Sequence, residues 1–305
     1  MTKKILFVYY TQSGQLGDII DTFSTAFNSP EFVPEKVRVY PEKEYGFPWN
    51  MDDFFETMPE CVHGIPIALK PFELKESKYD LIVFGYQPWF LSPSLPATAI
   101  LASPQFQKIA KDTPVITIIG ARNMWLSSQE KVKQKLNEIE SKLVGNIVLV
   151  DKHGNLTSLV TILYWMLTAK RDKYLGIFPK PGVSDEDISK TAEFGNIVKK
   201  SLENSDWQNL QPELIKVKAL EVKSNLMFIE TKGAKLFKIW AGFISKRKNR
   251  TPWLRLFKYY LLIALFIVAP LVLTINIIIF RPFLLKTIKR KKEYYLSLNK
   301  KSWKI

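Results

Sequence analysis

Lys4-Ile5-Leu6-Phe7-Val8-Tyr9-Tyr10-Thr11-Gln12-Ser13-Gly14-Gln15 carries the chain from an unbroken apolar and aromatic run into a short turn of hydroxyls and glycine. A run of this length without polar alternation reads as a strand covered on both faces, the pattern of a parallel sheet. Past the turn, Gln15–Phe27 has apolar residues at helical spacing. Hydroxyls and backbone N–H groups gathered at a helix N-terminus suit a phosphate, because the donors converge and the helix dipole favours an anion. The same residues also serve an ordinary strand-to-helix turn, so the larger pattern must separate the two readings.

Further along the chain, Leu81 to Gly85, Val115 to Gly120 and Ile147 to Val150 repeat the buried-strand pattern, and Lys36 to Tyr40 is a weaker member. Helical patterns at Met51–Thr57, Ala97–Lys111 and Ser128–Leu143 alternate with them. Strict alternation implies right-handed crossovers and an α/β class fold, a doubly wound parallel sheet of five strands. Leu156 to Leu167, too short to span a bilayer, is expected as a buried helix. Asp185 to Leu202, with Ser184 as N-cap and acidic residues in its first turn, is expected to close the domain. A first domain thus occupies 1–204. In the extension 205–245, Leu210 to Phe228 is expected to add strands and Lys232 to Ile244 to form an interfacial helix.

In an open α/β sheet, ligands bind beyond the C-terminal ends of the strands, where strand order reverses. Three loops are expected to meet there. Thr11, Ser13, Gly14 and Gln15 follow the first strand; Pro88 and Trp89 lie in Gly85-Tyr86-Gln87-Pro88-Trp89-Phe90 after the third; Gly120, Arg122, Asn123 and Trp125 follow the fourth. Arg122 suits an anionic group, while packing or a solvated turn is the alternative for each loop. His153, past the fifth strand in Asp151-Lys152-His153-Gly154, is a candidate general acid or base. Cys61 and His63 fall in what reads as a loop at the opposite sheet end, away from this chemistry. With two histidines and one cysteine in the chain, a His/Cys metal site is not expected.

At these loops the chain resembles flavodoxins and flavodoxin-like NAD(P)H reductases, whose first loop, T/S-x-T/S-G-x-T/S, wraps the phosphate of FMN. Thr11, Ser13 and Gly14 match the pattern, whereas Leu16 stands where a further hydroxyl is usual. The resemblance implies a flavodoxin-like fold, FMN and NAD(P)H as cofactors, stacking of Trp89 on the flavin, and backbone contacts from Gly120 to Asn123 to its polar edge. More narrowly, the start of the chain, the Gly120–Trp125 loop and a basic, apolar C-terminal extension resemble the dialkylresorcinol condensing enzyme family of bacterial lipid and pigment biosynthesis. That likeness implies joining or cyclising of fatty-acid-derived β-keto chains. Two other readings stand beside it: an FMN-dependent NAD(P)H oxidoreductase serving a quinone or other lipid-soluble acceptor, and a non-catalytic scaffold for a ketosynthase or acyl carrier protein.

Charge is unevenly spread. Residues 246–305 hold 15 of the 44 Lys+Arg and one of the 29 Asp+Glu, so +14 of the net +15 lies in this tail. It brackets Tyr259 to Phe280, an uncharged run whose helical length of about 33 Å covers a hydrocarbon core of about 30 Å. Basic residues around such a run point to anionic lipid headgroups as partners rather than nucleic acid. The expectation is a membrane anchor at 246–305, either one span or a hairpin turning at Pro270, at the cytoplasmic face of the inner membrane. The single Cys61 agrees with a reducing compartment.

Overall fold

The computed structural model describes residues 2–275 and 284–298. Five parallel strands form its centre: β1 (Lys3–Tyr9), β2 (Phe32–Arg38), β3 (Leu81–Tyr86), β6 (Pro114–Ala121) and β7 (Lys142–Val150), in the order β2-β1-β3-β6-β7. Between β3 and β6 lies a two-stranded ribbon, β4 (Pro88–Trp89) with β5 (Ser92–Pro93). Among the sheet strands alone, this is the 2-1-3-4-5 order of the flavodoxin-like fold, with its reversal between β1 and β3.

β1, β3 and β6 are buried on both sides, as their apolar sequences require, whereas the edge strand β2 is largely exposed. One face is covered by α1 (Gln15–Ser24), α8 (Asp185–Ser189), α9 (Thr191–Asn204) and α10 (Leu210–Lys216). The other carries α4 (Leu95–Ala102), α5 (Pro104–Ala110) and α6 (Leu126–Glu138). A third apolar cluster forms a cap in which α2 (Met51–Glu56) and α3 (Met58–His63) meet Trp89 and Phe90, with the following helices α11 (Ser224–Ser245) and α12 (Thr251–Ile263). α7 (Asn155–Thr168) leaves β7 beside the strand ends.

Several expectations are corrected. Ala97–Lys111 is two helices, because Ser103 is extended and Pro104 cannot donate back into the preceding turn. Asp185 to Leu202 is likewise divided at Lys190. Leu210 to Phe228 supplies helices instead of strands: Leu210, Gln211 and Leu214 are all buried, the adjacent pair plus a residue one turn on that a helix places on one face and strand alternation does not. Cys61 and His63 lie on a helix of the cap, not in a loop. The segment after β2 folds back over the C-terminal strand ends, so Cys61 is on the ligand side of the sheet, but fully buried, and burial pushes its thiol far up.

α12 continues through a π-type turn, Ala264–Val268, into α13 (Ala269–Ile275), giving one helix from Thr251 to Ile275. Pro270 sits inside this helix and is not the apex of a hairpin. The widened turn directly precedes it, where a proline ring would otherwise meet the preceding carbonyl. The end of the expected apolar run, 276–280, lies outside the described residues. After it comes α14 (Leu285–Leu296), whose Tyr294 and Tyr295 are buried in the same cluster as β3 and α6.

Candidate functional site

Two cavities meet at the C-terminal end of the sheet. The smaller, about 260 Å³, lies between the first loop, the ribbon and α7, and reaches Ser13, Trp89, Gly120 and Trp165. The larger, about 360 Å³, lies between α11 and the helix Thr251–Ile275. They share Phe54, Pro88, Phe90, Ala121 and Arg122.

At one end of the smaller cavity, Gly14 takes φ +92 to turn β1 into α1, a backbone region favourable to glycine. No side chain caps α1, so its first-turn N–H groups keep their capacity for a ligand beside Ser13. Thr11 Oγ1, just past the end of β1 and before this turn, is buried without a partner among the described residues. Gln15 is otherwise engaged: its Nε2 donates to Val183 O at 3.0 Å and its Oε1 accepts from Val183 N at 2.9 Å. This reciprocal pair holds the loop before α8 across the cavity. Gly182, at φ +81, has no room for a Cβ, which would stand 2.6 Å from Gln15 Oε1 and 2.7 Å from Trp165 Cζ3. Leu16 lines the cavity floor and packs under α1, so no hydroxyl is offered at this position.

Trp89 forms the opposing wall. It meets Tyr45 and Trp49 edge to face at centroid distances of 5.3 Å each, and Tyr10 at 6.1 Å. These contacts fix its ring before any ligand arrives. Gln12 ties the same wall down by donating to Tyr45 O at 3.1 Å and Gly46 O at 3.0 Å. Below it, the Lys131 ammonium donates to Val62 O at 2.7 Å and Ser92 Oγ at 2.8 Å, pinning the ribbon to α3. Burial lowers the Lys131 pKa to about 8.

Arg122 stands at the junction of the cavities. Its Nη1 donates to Asn155 O at 3.1 Å, Asn155 Oδ1 at 3.2 Å and Ser158 Oγ at 3.2 Å, which aims the guanidinium from the start of α7. Burial lowers its pKa to about 10, partly countered by Asp151, so it stays cationic at neutral pH. Asn123 Nδ2 donates to Asn155 Oδ1 at 2.9 Å, while Asn123 Oδ1 is buried without a partner. Asp151 accepts from the His153 backbone at 2.9 Å and from Gly182 N at 3.3 Å.

Thus Ser13, Gln15, Pro88, Trp89 and Gly120 come together around the smaller cavity, with Thr11 and Gly14 behind them, and Asn123 faces the larger one. Two candidates fall elsewhere. Trp125 begins α6 and turns into the core on the sheet's other face, since α6 crosses to that side directly after the loop. His153 lines neither cavity: its Nδ1 is 2.7 Å from Asp151 Oδ1 and its side chain is 41% exposed, so it has no place as a proton donor in the cleft. Sequence reasoning missed Trp49, Trp165 and Gly182. Their signals were Phe47-Pro48-Trp49, an aromatic within Leu156 to Leu167, and Pro181-Gly182 ahead of a capped helix.

No family model matches the chain, and no curated protein is similar to it. Among solved structures it is similar to a flavoprotein in complex with FMN from Lactobacillus acidophilus NCFM, at 14% identity over 48% of this chain and 93% of that one, TM-score 0.40. A flavodoxin from the domain Archaea aligns at 10% identity over 66% and 99% of the two chains, TM-score 0.36. A flavone reductase aligns at 11% identity over 67% and 64%, TM-score 0.37. At these identities the likeness assigns no residue a role. Strand order and its reversal at β1 and β3 are what make the fold flavodoxin-like.

Proposed function

We propose that this chain is a membrane-attached flavoprotein that binds FMN in the smaller cavity and takes part in electron transfer from NAD(P)H to a lipid-soluble acceptor such as a quinone. The carrying observation is the uncapped N-terminus of α1, with the orphaned Thr11 hydroxyl, at the strand-order reversal and facing an aromatic wall. These residues fit the group: Ser13 and the first-turn N–H groups suit its phosphate, and the space between Trp89 and Gly120 suits a flat ring. Bound FMN would supply two-electron chemistry between a reduced nicotinamide and an oxidised acceptor. The chain's own contribution is a rigid wall at Trp89, a fixed cation at Arg122, and exclusion of water by the loop that Gln15 holds in place.

Attachment to the cytoplasmic face of the inner membrane is supported by the exposed apolar side chains along Thr251–Ile275 and the basic residues on either side. Arg250 pairs with Glu60 at 2.6 Å and Lys258 with Asp52 at 2.8 Å before the apolar stretch. Tyr294 donates to Glu130 Oε2 at 2.6 Å after it. Docking of both flanks on one domain supports a segment that enters and leaves the bilayer from one face.

A condensing enzyme of the dialkylresorcinol type is the second reading, favoured by the apolar character of the larger cavity, which suits an alkyl chain. A visible spectrum of the purified full-length protein, with the released cofactor weighed by mass spectrometry, separates the two. Stoichiometric FMN and NAD(P)H-dependent bleaching are expected. Colourless protein that fails to take up added FMN would overturn the redox reading.

A further inference from the structure

The larger cavity has the wrong lining for a second cofactor site. Its walls come from Phe228 and Phe237 on α11 and from Leu261, Ala264, Leu265 and Val268 on the helix Thr251–Ile275. Its charged lining groups are Lys232 and, at the junction with the smaller cavity, Arg122 beside Asn123. An apolar chamber with polar groups gathered where it meets a second site suits an elongated ligand with an oily body and a polar head.

The wall helix has a second apolar side. Ile263, Ile267 and Leu271 are 54%, 58% and 60% exposed. A helix between water and a core shows one apolar stripe, whereas this one presents hydrocarbon both to the cavity and outward. An outer face of this kind matches acyl chains, so the cavity is one helix away from the bilayer. Small residues thin that partition: Ala264 and Ala269, at either end of the π-type turn, both line the cavity.

At the junction, the hydrogen-bonding capacity left over is of two kinds. Among the described residues Arg122 donates to protein through Nη1 alone, and Asn123 Oδ1 is a buried acceptor without a partner, its amide orientation fixed by the bond from Nδ2 to Asn155. A quinone carbonyl oxygen can accept from the Arg122 guanidinium, and the hydroxyl of the quinol can donate to Asn123 Oδ1, so each redox state of such a head finds a partner at the junction.

We propose that the larger cavity holds the hydrocarbon tail of a lipid-soluble quinone-type substrate, admitted from the bilayer past Thr251–Ile275, with its head at Arg122 and Asn123. The fate of the head rests on the redox reading above; the tail site does not.

The test uses the full-length protein in lipid nanodiscs and a 1,4-benzoquinone whose decyl tail ends in a photoreactive diazirine. Crosslinks mapped by mass spectrometry are expected on Phe228, Phe237 and Leu261 inside the cavity. Ala264→Trp, which fills the cavity from the wall helix, should cut that labelling at least fivefold relative to wild type in the same nanodiscs. Ala264→Leu should cut it less, and carries the test if the larger ring prevents folding. Crosslinks confined to Ile263, Ile267 and Leu271, or cavity labelling indifferent to both substitutions, would overturn the proposal. Cavity labelling in a protein that holds no flavin would retain the tail site and remove the redox reading alone.

Discussion

Glu230, on α11, accepts the backbone N–H of Ser127 at 2.7 Å, so a carboxyl group from the C-terminal extension caps the first turn of α6. The group is 1% exposed, and burial pushes its pKa up to about 7 against the pull of those backbone donors. The folded chain therefore holds this proton more tightly than the unfolded chain does. The resulting stability is complete below the ordinary carboxyl range and is lost as pH rises to about 7, a loss of at most about 3 kcal/mol. Glu230→Gln keeps an acceptor for Ser127 without the charge. It should raise stability by about 1–3 kcal/mol at pH 8 and change it little at pH 4, measured by urea unfolding. A loss at pH 8 would show that the ionised carboxylate is what α6 requires.

Gly182 and Gln15 line the smaller cavity next to Ser13, and Gln15 holds the loop that carries Gly182 in place. Gly182→Ala places a Cβ against Gln15 and Trp165 in a backbone region that L residues avoid, at a cost of about 1–3 kcal/mol. FMN uptake, followed by flavin fluorescence, should weaken at least tenfold while far-ultraviolet circular dichroism stays that of the wild type. Uptake as tight as wild type would mean that the loop is not part of the binding site.

The helix Thr251–Ile275 should respond oppositely on its two sides. Phe257 is fully buried in the cap, so Phe257→Ala should cost about 3–5 kcal/mol. Ile263→Lys together with Ile267→Lys changes only exposed side chains and should move the folded protein from membranes to the soluble fraction on centrifugation. A double variant that stays wholly membrane-bound would refute this face as the anchor.

Docking of both flanks on one domain gives a labelling prediction. With Cys61→Ser as background, Lys248→Cys and Lys289→Cys, both at exposed positions, should react with a membrane-impermeant maleimide from the same side of sealed vesicles. Reaction from opposite sides would establish a single span.

The doubly wound sheet was legible because β1, β3 and β6 are covered on both faces and carry that burial in their composition. The first loop and the ribbon were legible for a related reason: the strand ends fix where the chain must turn. Trp125 and His153 were misplaced because position in a loop says nothing about which way the next helix carries a side chain. The cap was invisible, since α2, α11 and α12 bury aromatic residues, and α3 buries Met58 and Val62, against one another across a separation in sequence that no local period encodes. Glu230 fell between the expected strands and the expected interfacial helix, and its partner 103 residues away only the fold reveals.

The buried polar chain through the sheet ends beyond the apolar segment. Tyr86 donates to Gln129 at 2.7 Å, Gln129 to Thr117 at 3.0 Å and Thr117 to Asn146 at 2.9 Å. Gln211 then accepts from Asn146 N at 2.8 Å and donates to Leu296 O at 2.9 Å. Because Leu296 and the core residues Tyr294 and Tyr295 follow Thr251–Ile275 in the chain, a ribosome releases the oily helix before the domain can complete its own interior. Emergence of the apolar helix and completion of the polar chain are thereby placed in one order during synthesis, with the helix exposed first and the domain sealed behind it.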